Sequence, residues 1–547
     1  MQQFQSPLEA FLYWEANIPS SNFLIQPTKG KTITYTYASA GKEIRKIASA
    51  LKSYNLADRS HVALLSKNCA HWVMADIAIM MAGHVSIPIY PTLNASTIEI
   101  LLDHSESKAI ILGKLDNYES QRSGIKDIHK ISVGLYGGSE GDLWEDLVVN
   151  RQLIKPMYSL KADDLLTIIY TSGTTGTPKG VMHTAGNVMI SSRTLLAISG
   201  LNLNSRFFSY LPLAHIAERI GIEIGSLNTG STVSFPYSLE TFAADLENTQ
   251  PHLFFAVPRI WAKFQEKILE SLPQKKLDVL LKIPIISGII KNKINKKLGL
   301  KEAVFICSGA APLAPSLINW FGKLNILIHE IYGMTEDCAI SHSNHEGANK
   351  VGTVGKPQEG VKTKLSPEGE ICIKNGCLMK GYFKAPDITA SVFDEQGYLK
   401  TGDIGEYDHD GFLTITGRVK DQFKTDKGKY ISPAPIELIL SENSDIEQIC
   451  IVGTGIPQPI ALITLSASGK SKSKQNISKS LIESVNSVNP KLEKHERIEK
   501  VIIMSEEWNV DNGLTTPTLK LKRNNIERIH RDRYGSWFES EENVIYE

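Results

Sequence analysis

Short apolar runs alternate with helix-like periodicity through the first three hundred residues. HVALLS (61–66), KAIILG (108–113), LLTIIY (165–170), STVSFP (231–236), HLFFAV (252–257) and AVFICS (303–308) have strand length and strand composition. Between them AHWVMADIAIMMAG (70–83) and GNVMISSRTLLAIS (186–199) predict helices, the first buried in spite of Asp76. Such alternation predicts an α/β fold. From about Val351 the texture changes. GEICIKNG, GYLKTGDIGEYD and GFLTITGR predict short strands joined by Gly- and Asp-rich turns, a small β-rich subdomain over about 350–417. Beyond Arg418 the remaining chain, about 130 residues, predicts a separate α+β unit of ordinary domain size. GKSKSKQNISKS (469–480) reads as an exposed polar loop.

A chain of 547 residues exceeds one core and predicts at least two domains. With 59 basic and 59 acidic residues the formal charge is zero, which argues against a dedicated nucleic-acid binder. Six cysteines without metal-ligand spacing fit a reducing compartment. MQQFQSPLEAFLYWE carries neither basic leader nor apolar core, and no apolar run approaches the ~20 residues that span a bilayer. The expected location is therefore cytoplasmic. One stretch qualifies that: KKLDVLLKIPIISGIIKNKINKK (275–297) mixes apolar residues with lysines. It reads as a solvated helical hairpin broken around Pro284 and Gly288, or as an amphipathic surface giving peripheral contact with anionic lipid at the inner membrane face.

The candidate chemistry starts at TSGTTGTPKG (171–180), which follows a predicted buried strand. Three glycines, four threonines, a serine and a lysine in ten residues form no packed element. They form a phosphate cradle: Gly lets backbone approach a ligand, hydroxyls donate, and Lys179 adds charge. The P-loop of nucleotide hydrolases requires Gly-Lys followed by Ser or Thr; here the order is Pro178, Lys179, Gly180, so another framework is needed. In HEIYGMTEDC (329–338) an apolar strand, NILI, is expected to lead into Tyr332 and Gly333, with Thr335 and Glu336 just beyond. A tyrosine at a strand end can stack on a base, and a threonine with a carboxylate can hold a phosphate and its Mg²⁺. In YLKTGDIGEYD (398–408) Asp403, expected in a turn after a strand, can accept from two ribose hydroxyls. Arg418 lies where the texture changes, and LTTPTLKLKR (514–523) predicts an exposed basic turn. Singly, an Asp in a Gly-rich turn caps its own backbone and paired lysines are solvated surface. The order and spacing of the whole set carry the argument.

That set resembles the adenylate-forming superfamily of acyl-CoA synthetases, acyl-adenylating domains and luciferases, most of all the long-chain fatty acyl-CoA synthetases. YTSGTTGTPKGVMHT, LPLAHIAER, YGMTE, KTGD, GRVKDQFKTDKGKYISPAPIE and TPTLKLKR match its motifs in order, from about Phe11 to about Arg523. The resemblance implies a large N-terminal adenylation domain of stacked α/β sheets (1–417) and a small mobile C-terminal domain (418–547). It implies ATP and CoA as co-substrates, Mg²⁺ as cofactor and a fatty acid as substrate. Thr171, Ser172, Gly173, Thr174, Thr175, Gly176 and Lys179 would hold the β- and γ-phosphates. Thr335 would contact the α-phosphate and Glu336 the metal. Tyr332 would stack on adenine, with Gly333 beside it and Gly309, Ala310 and Ala311 as the opposite wall. Glu330 would accept from the adenine amino group, Asp403 and Arg418 would bind ribose, and His215 would lie beside the reacting carboxylate. Lys520, two residues after Thr518, would be the cation on the bridging oxygens; Lys522 is its competitor. Lys420 matches the hinge, and the TDKGKY hairpin with Gly428 would serve the CoA step.

Two alternatives stand beside the CoA ligase. An acyl-AMP ligase would hand the acyl group to a carrier-protein thiol. A non-catalytic binding protein would be expected to have lost at least one of Lys179, Glu336, Asp403, Arg418 and Lys520, and all are present.

Overall fold

The computed structural model describes residues 2–151, 158–171, 178–516 and 519–547. Among these, eight strands form the largest sheet, whose spatial order is 381–382, 179–184, 165–171, 85–89, 61–65, 109–112, 129–132, 142–143. Strands His61–Leu65, Val85–Ile89 and Ala109–Leu112 run parallel and are buried almost throughout, as the unbroken apolar runs predict. Helix Ala70–Ala82 is buried over its whole length, and Asp76 is tolerated because Arg219 meets it at 2.6 Å. A second sheet, with parallel strands Leu253–Ala256, Phe305–Ser308 and His329–Tyr332, has its own apolar core. The β-rich unit is a four-stranded antiparallel sheet of 362–365, 370–374, 399–407 and 413–418. After it come a two-stranded hairpin (423–424 with 430–431) and a four-stranded sheet of 446–452, 460–465, 500–503 and 544–546. All six cysteines are free and buried.

The apolar clusters respect one division. Four draw all their residues from positions up to 415, and the other two from 423 onward. The named side-chain contacts across the division are polar: an ion pair of Arg259 with Glu447, and a hydrogen bond from Ser316 Oγ to Glu442 Oε1 (2.7 Å).

Four local expectations are corrected. NILI is not a strand: the strand is His329–Tyr332, and Asn325 takes a left-handed φ of 61° after a helix end while Ile326 and Ile328 plug the second core. Asp403 lies inside strand Leu399–Tyr407, because Gly402 (φ 74°) absorbs the irregularity and the ladder to Arg418 continues. The polar stretch 469–480 is largely helical. Serines cap both helices: Ser466, just before the stretch, accepts from the Gly469 amide, and Ser473 opens helix Lys474–Val488, which buries Ile477, Leu481 and Val488. In 275–297 the break falls at Lys282–Ile283, between helices Gln274–Leu281 and Pro284–Lys297; Gly288 is inside the second helix.

Candidate active site

The glycine-rich stretch joins two antiparallel strands, Leu165–Thr171 and Lys179–Thr184, with Thr171 paired to Lys179. The elements flanking it are thus two antiparallel strands that meet at the sheet's carboxyl edge, not the strand and helix that flank a P-loop. Ser172, Gly173, Thr174, Thr175 and Gly176 lie outside the described residues, as does Thr518.

The second sheet brings the next group together. Ser308 pairs with Glu330 in the parallel ladder, so the Gly309–Ala311 loop leaves the sheet beside Glu330 and Tyr332. A side chain at Gly309 would press its Cβ to 2.9 Å from the Ile331 carbonyl, and one at Gly333 to 2.5 Å from the Ala339 backbone, so both sites require glycine. Ala310 is held at a left-handed φ of 67°. Glu330 is 8% exposed; Oε1 accepts from the Leu313 amide at 3.4 Å, while among the described residues no group lies within hydrogen-bond geometry of Oε2, the Gly352 backbone being its neighbour. Burial pushes its pKa up to about 7. A buried acceptor of this kind calls for a donor supplied from outside the chain.

Asp403 knits this group to the β-rich sheet. It accepts from Tyr332 Oη through Oδ2 (2.7 Å) and from Arg418 Nε through Oδ1 (2.6 Å). Both oxygens keep a second lone pair for a further donor. The Tyr332 ring, anchored by its hydroxyl, has its orientation fixed, and burial holds that hydroxyl protonated.

Thr335 and Glu336 sit in a turn made by their neighbours. Asp337 Oδ1 accepts from the Met334 amide (2.8 Å), and the Thr335 carbonyl is 2.7 Å from His183 Nε2. Burial keeps His183 neutral, with its pKa lowered to about 4. Glu336 Oε1 accepts from Tyr382 Oη at 2.8 Å. The ring of the same tyrosine carries Lys179 Nζ at 5.1 Å from its centroid. Tyr382 therefore couples the hairpin lysine to the carboxylate, and sequence reasoning missed it. GYFK carries no motif signal for such a role; what identifies Tyr382 is the pairing of Gly381–Tyr382 with Val181–Met182. A hard carboxylate with one oxygen anchored suits Mg²⁺, which takes one or two carboxylates and completes its shell with water and substrate phosphate. Among the described residues no three His, Cys, Asp or Glu side chains form a cage of their own, consistent with that mode.

His215 caps a short helix, its Nδ1 accepting from the Ala217 amide at 3.3 Å. Burial, then the charge of Lys520, lowers its pKa to about 3, so it is neutral with its proton on Nε2. Lys520 comes from the C-terminal unit, in a turn where the Thr516 amide donates to the Lys520 carbonyl (2.8 Å) and Leu519 has φ 61°. By residue area Lys520 is exposed, while protein crowds around its charged end. Burial and Arg418 lower its pKa, while Asp403 and Glu336 oppose that. Lys520 thus lies near enough to Asp403, Arg418, Glu336 and His215 for charge to act between them, whereas Lys522 starts the next helix as its cap. Lys420 lies in an exposed turn directly after strand Leu413–Arg418. Gly428, at φ 77°, turns the hairpin at 423–431, and nothing brings it to the cleft.

Known proteins fit this arrangement. A family model described as AMP-binding enzyme matches residues 14–383, and one described as AMP-binding enzyme C-terminal domain matches 420–540. Long chain acyl-CoA synthetase 7, peroxisomal, of Arabidopsis thaliana is 29% identical over 91% of this chain and 80% of its own. Long-chain-fatty-acid–CoA ligase FadD15 of Mycobacterium bovis is 29% identical over 89% of each. Among solved structures, the adenylation domain of a carboxylate reductase from Mycobacterium chelonae superposes with a TM-score of 0.81 at 20% identity, covering 98% of this chain and 91% of that one. The o-succinylbenzoate CoA synthetase of Bacillus subtilis, bound to its acyl-adenylate, gives 0.74 at 22% identity over 95% and 97%.

Proposed function

The chain belongs to the AMP-binding enzyme family, and on that premise we propose that it is an ATP- and Mg²⁺-dependent long-chain fatty acid–CoA ligase. The observation that carries the reading is convergence. A lysine of the C-terminal unit, Lys520, lies within range of the charges of Glu336, Asp403 and Arg418 and lowers the pKa of His215, while Asp403 and Arg418 are joined directly. The relatives named as long-chain acyl-CoA ligases supply the substrate class.

In the first step a carboxylate oxygen bonds to the α-phosphorus of ATP, the bond to the β-phosphate oxygen breaks, and pyrophosphate leaves. A fatty acid is already ionised at neutral pH, so no general base is needed. The protein's task is positioning and charge compensation. Glu330 accepts from the adenine amino group, Tyr332 stacks on the ring and Asp403 with Arg418 holds the ribose. His215 donates from Nε2 to an oxygen of the reacting carboxylate. Lys520 stabilises negative charge on the bridging oxygens without acting as a base. Thr171 and Lys179 face the departing phosphates. Glu336, oriented by Tyr382, would hold Mg²⁺, which supplies charge neutralisation on the phosphates when bound. In the second step the CoA thiol sulfur bonds to the acyl carbon, the thiol proton is lost and AMP leaves. For that step the C-terminal domain (418–547) turns about Lys420, withdraws Lys520 from the adenylation domain (1–417) and presents the Gly428 hairpin, one hinge serving two active arrangements.

The test is release of pyrophosphate and AMP with ATP, Mg²⁺ and fatty acids of graded length, each with and without CoA. The expected result is AMP turnover only with CoA, peaking at a long chain. Stoichiometric acyl-AMP that CoA does not discharge would overturn the CoA assignment in favour of a carrier-protein acceptor.

A further inference from the structure

The helical hairpin at 274–297 has two faces of different character. Inward, Leu277, Leu281, Ile290, Ile294 and Leu298 pack on the second core, and Ser287 is buried. Outward, Val279 (59% exposed), Ile283 (42%), Ile285 (80%) and Ile289 (63%) give large aliphatic side chains to solvent. Ile285 and Ile289 are four residues apart and so lie one above the other, and Lys293 and Lys296 continue the line toward the helix end. Lys275, Lys276, Lys282 and Lys297 are exposed around them, and over 274–298 the sole acidic residue is Asp278. An aliphatic ridge ringed by lysines, in a chain of zero net charge, is a local departure that the core does not require.

Its placement is equally specific. Gln274 opens the first helix by accepting from Trp320 Nε1 (2.8 Å), and Asn295 near the end of the second donates to the Leu324 carbonyl (2.9 Å). Trp320 lies in the last turn of helix Pro315–Gly322 and Leu324 just beyond its end; that helix starts after the carboxyl end of strand Phe305–Ser308. The hairpin's open ends thus point to the amino edge of that sheet.

We propose that this hairpin docks the protein on an anionic phospholipid surface, the aliphatic tip entering the interface while the lysines meet the headgroups. The two parts of the site match the two parts of such a surface: apolar area for the acyl boundary and positive charge for the negative leaflet. The surface stands independently of the enzyme reading, though a ligase of long-chain acids would draw on an acid that partitions into that layer. Among the described residues no helix is long and apolar enough to cross a membrane, so the contact is peripheral.

The test is flotation of the full chain with vesicles of phosphatidylcholine alone and with about a third phosphatidylglycerol, at low and raised salt. Binding should appear with the anionic vesicles and weaken with salt. Lys293→Gln with Lys296→Gln should lower the partition coefficient roughly thirtyfold, from the usual contribution of one lysine near such a surface. Ile285→Asp with Ile289→Asp should abolish binding to either vesicle. Circular dichroism and ATP binding report that each variant is folded, and none of the residues changed is among those placed at the cleft. Equal binding to neutral vesicles, or no effect of either double variant, would overturn the proposal. So would a dimer in sedimentation that Ile285→Asp with Ile289→Asp dissolves, which would assign the ridge to a second copy.

Discussion

Replacing Tyr382 by Phe removes one oxygen and leaves the ring. The Lys179 ammonium, 5.1 Å from the ring centroid, keeps its aromatic seat. What is lost is the 2.8 Å hydrogen bond to Glu336 Oε1. A hydrogen bond to a charged group contributes about 1.5–3 kcal/mol. At about 1.4 kcal/mol per decade this corresponds to a loss of roughly 10- to 150-fold. The upper end does not apply if water can reach the freed carboxylate, and Glu336 borders the cleft, so about 10- to 30-fold is expected by the same scale. Two measurements separate orientation from general damage. ATP–pyrophosphate exchange should fall by that factor with saturating fatty acid. Calorimetric affinity for ATP should fall in the presence of Mg²⁺ and hold in its absence, because the nucleotide's base and ribose are bound elsewhere. A Tyr382→Phe protein whose exchange stays within twofold of the parent, or whose metal-free affinity drops equally, would refute the coupling.

Lys520→Ala should abolish acyl-AMP formation while sparing conversion of supplied acyl-AMP to the thioester, and Lys420→Pro should do the reverse; equal losses in both half-reactions of either variant contradict the assignment. Glu330 has its pKa raised to about 7 by burial and is proposed to accept from adenine as the carboxylate, so ATP affinity should rise with pH through about 7 with proton release on binding. Glu330→Gln should erase that dependence in calorimetry run in two buffers. Glu218 and Asp337 are held protonated in the fold, each raised to about 8 by burial, whereas in the unfolded chain they ionise near their ordinary values. Their contribution is complete below those ordinary values and is lost as pH rises through 8. From about pH 7.5 to 8.5 the buried His71 and His183, both lowered to about 4, are almost wholly neutral in either state and add little slope. Denaturant midpoints should therefore fall over that window, less steeply in Glu218→Gln.

Strand and helix positions in the adenylation region were legible because burial there is nearly total and leaves unbroken apolar runs, as in Val85–Ile89 and Ala70–Ala82. NILI misled for the same reason: Ile326 and Ile328 are buried from a turn, and composition records burial, not conformation. The polar 469–480 stretch failed in the opposite sense. Serines cap its helices, and the three inward residues of Lys474–Val488 are too widely spaced to stand out beside lysines. Tyr332, Glu336, Asp403, Arg418 and Lys520 were legible as a set of motifs, but what holds them was not. Tyr382 and His183 reach Glu336 and the Thr335 carbonyl across 46 and 152 residues, and such separations leave no local mark.

The division of the apolar clusters has a mechanical consequence. Because no cluster spans residues 415 to 423, swinging the C-terminal unit away uncovers no greasy core. Two of the contacts across the seam are an ion pair with a 43%-exposed arginine and a hydroxyl–carboxylate hydrogen bond, and water offers substitutes for both. Exposed pairs of that kind are worth about 0–1 kcal/mol. If the C-terminal unit turns as proposed, the seam would serve as a detent with a shallow notch: deep enough to register Lys520 over the cleft, shallow enough for thermal motion to release it between chemical events.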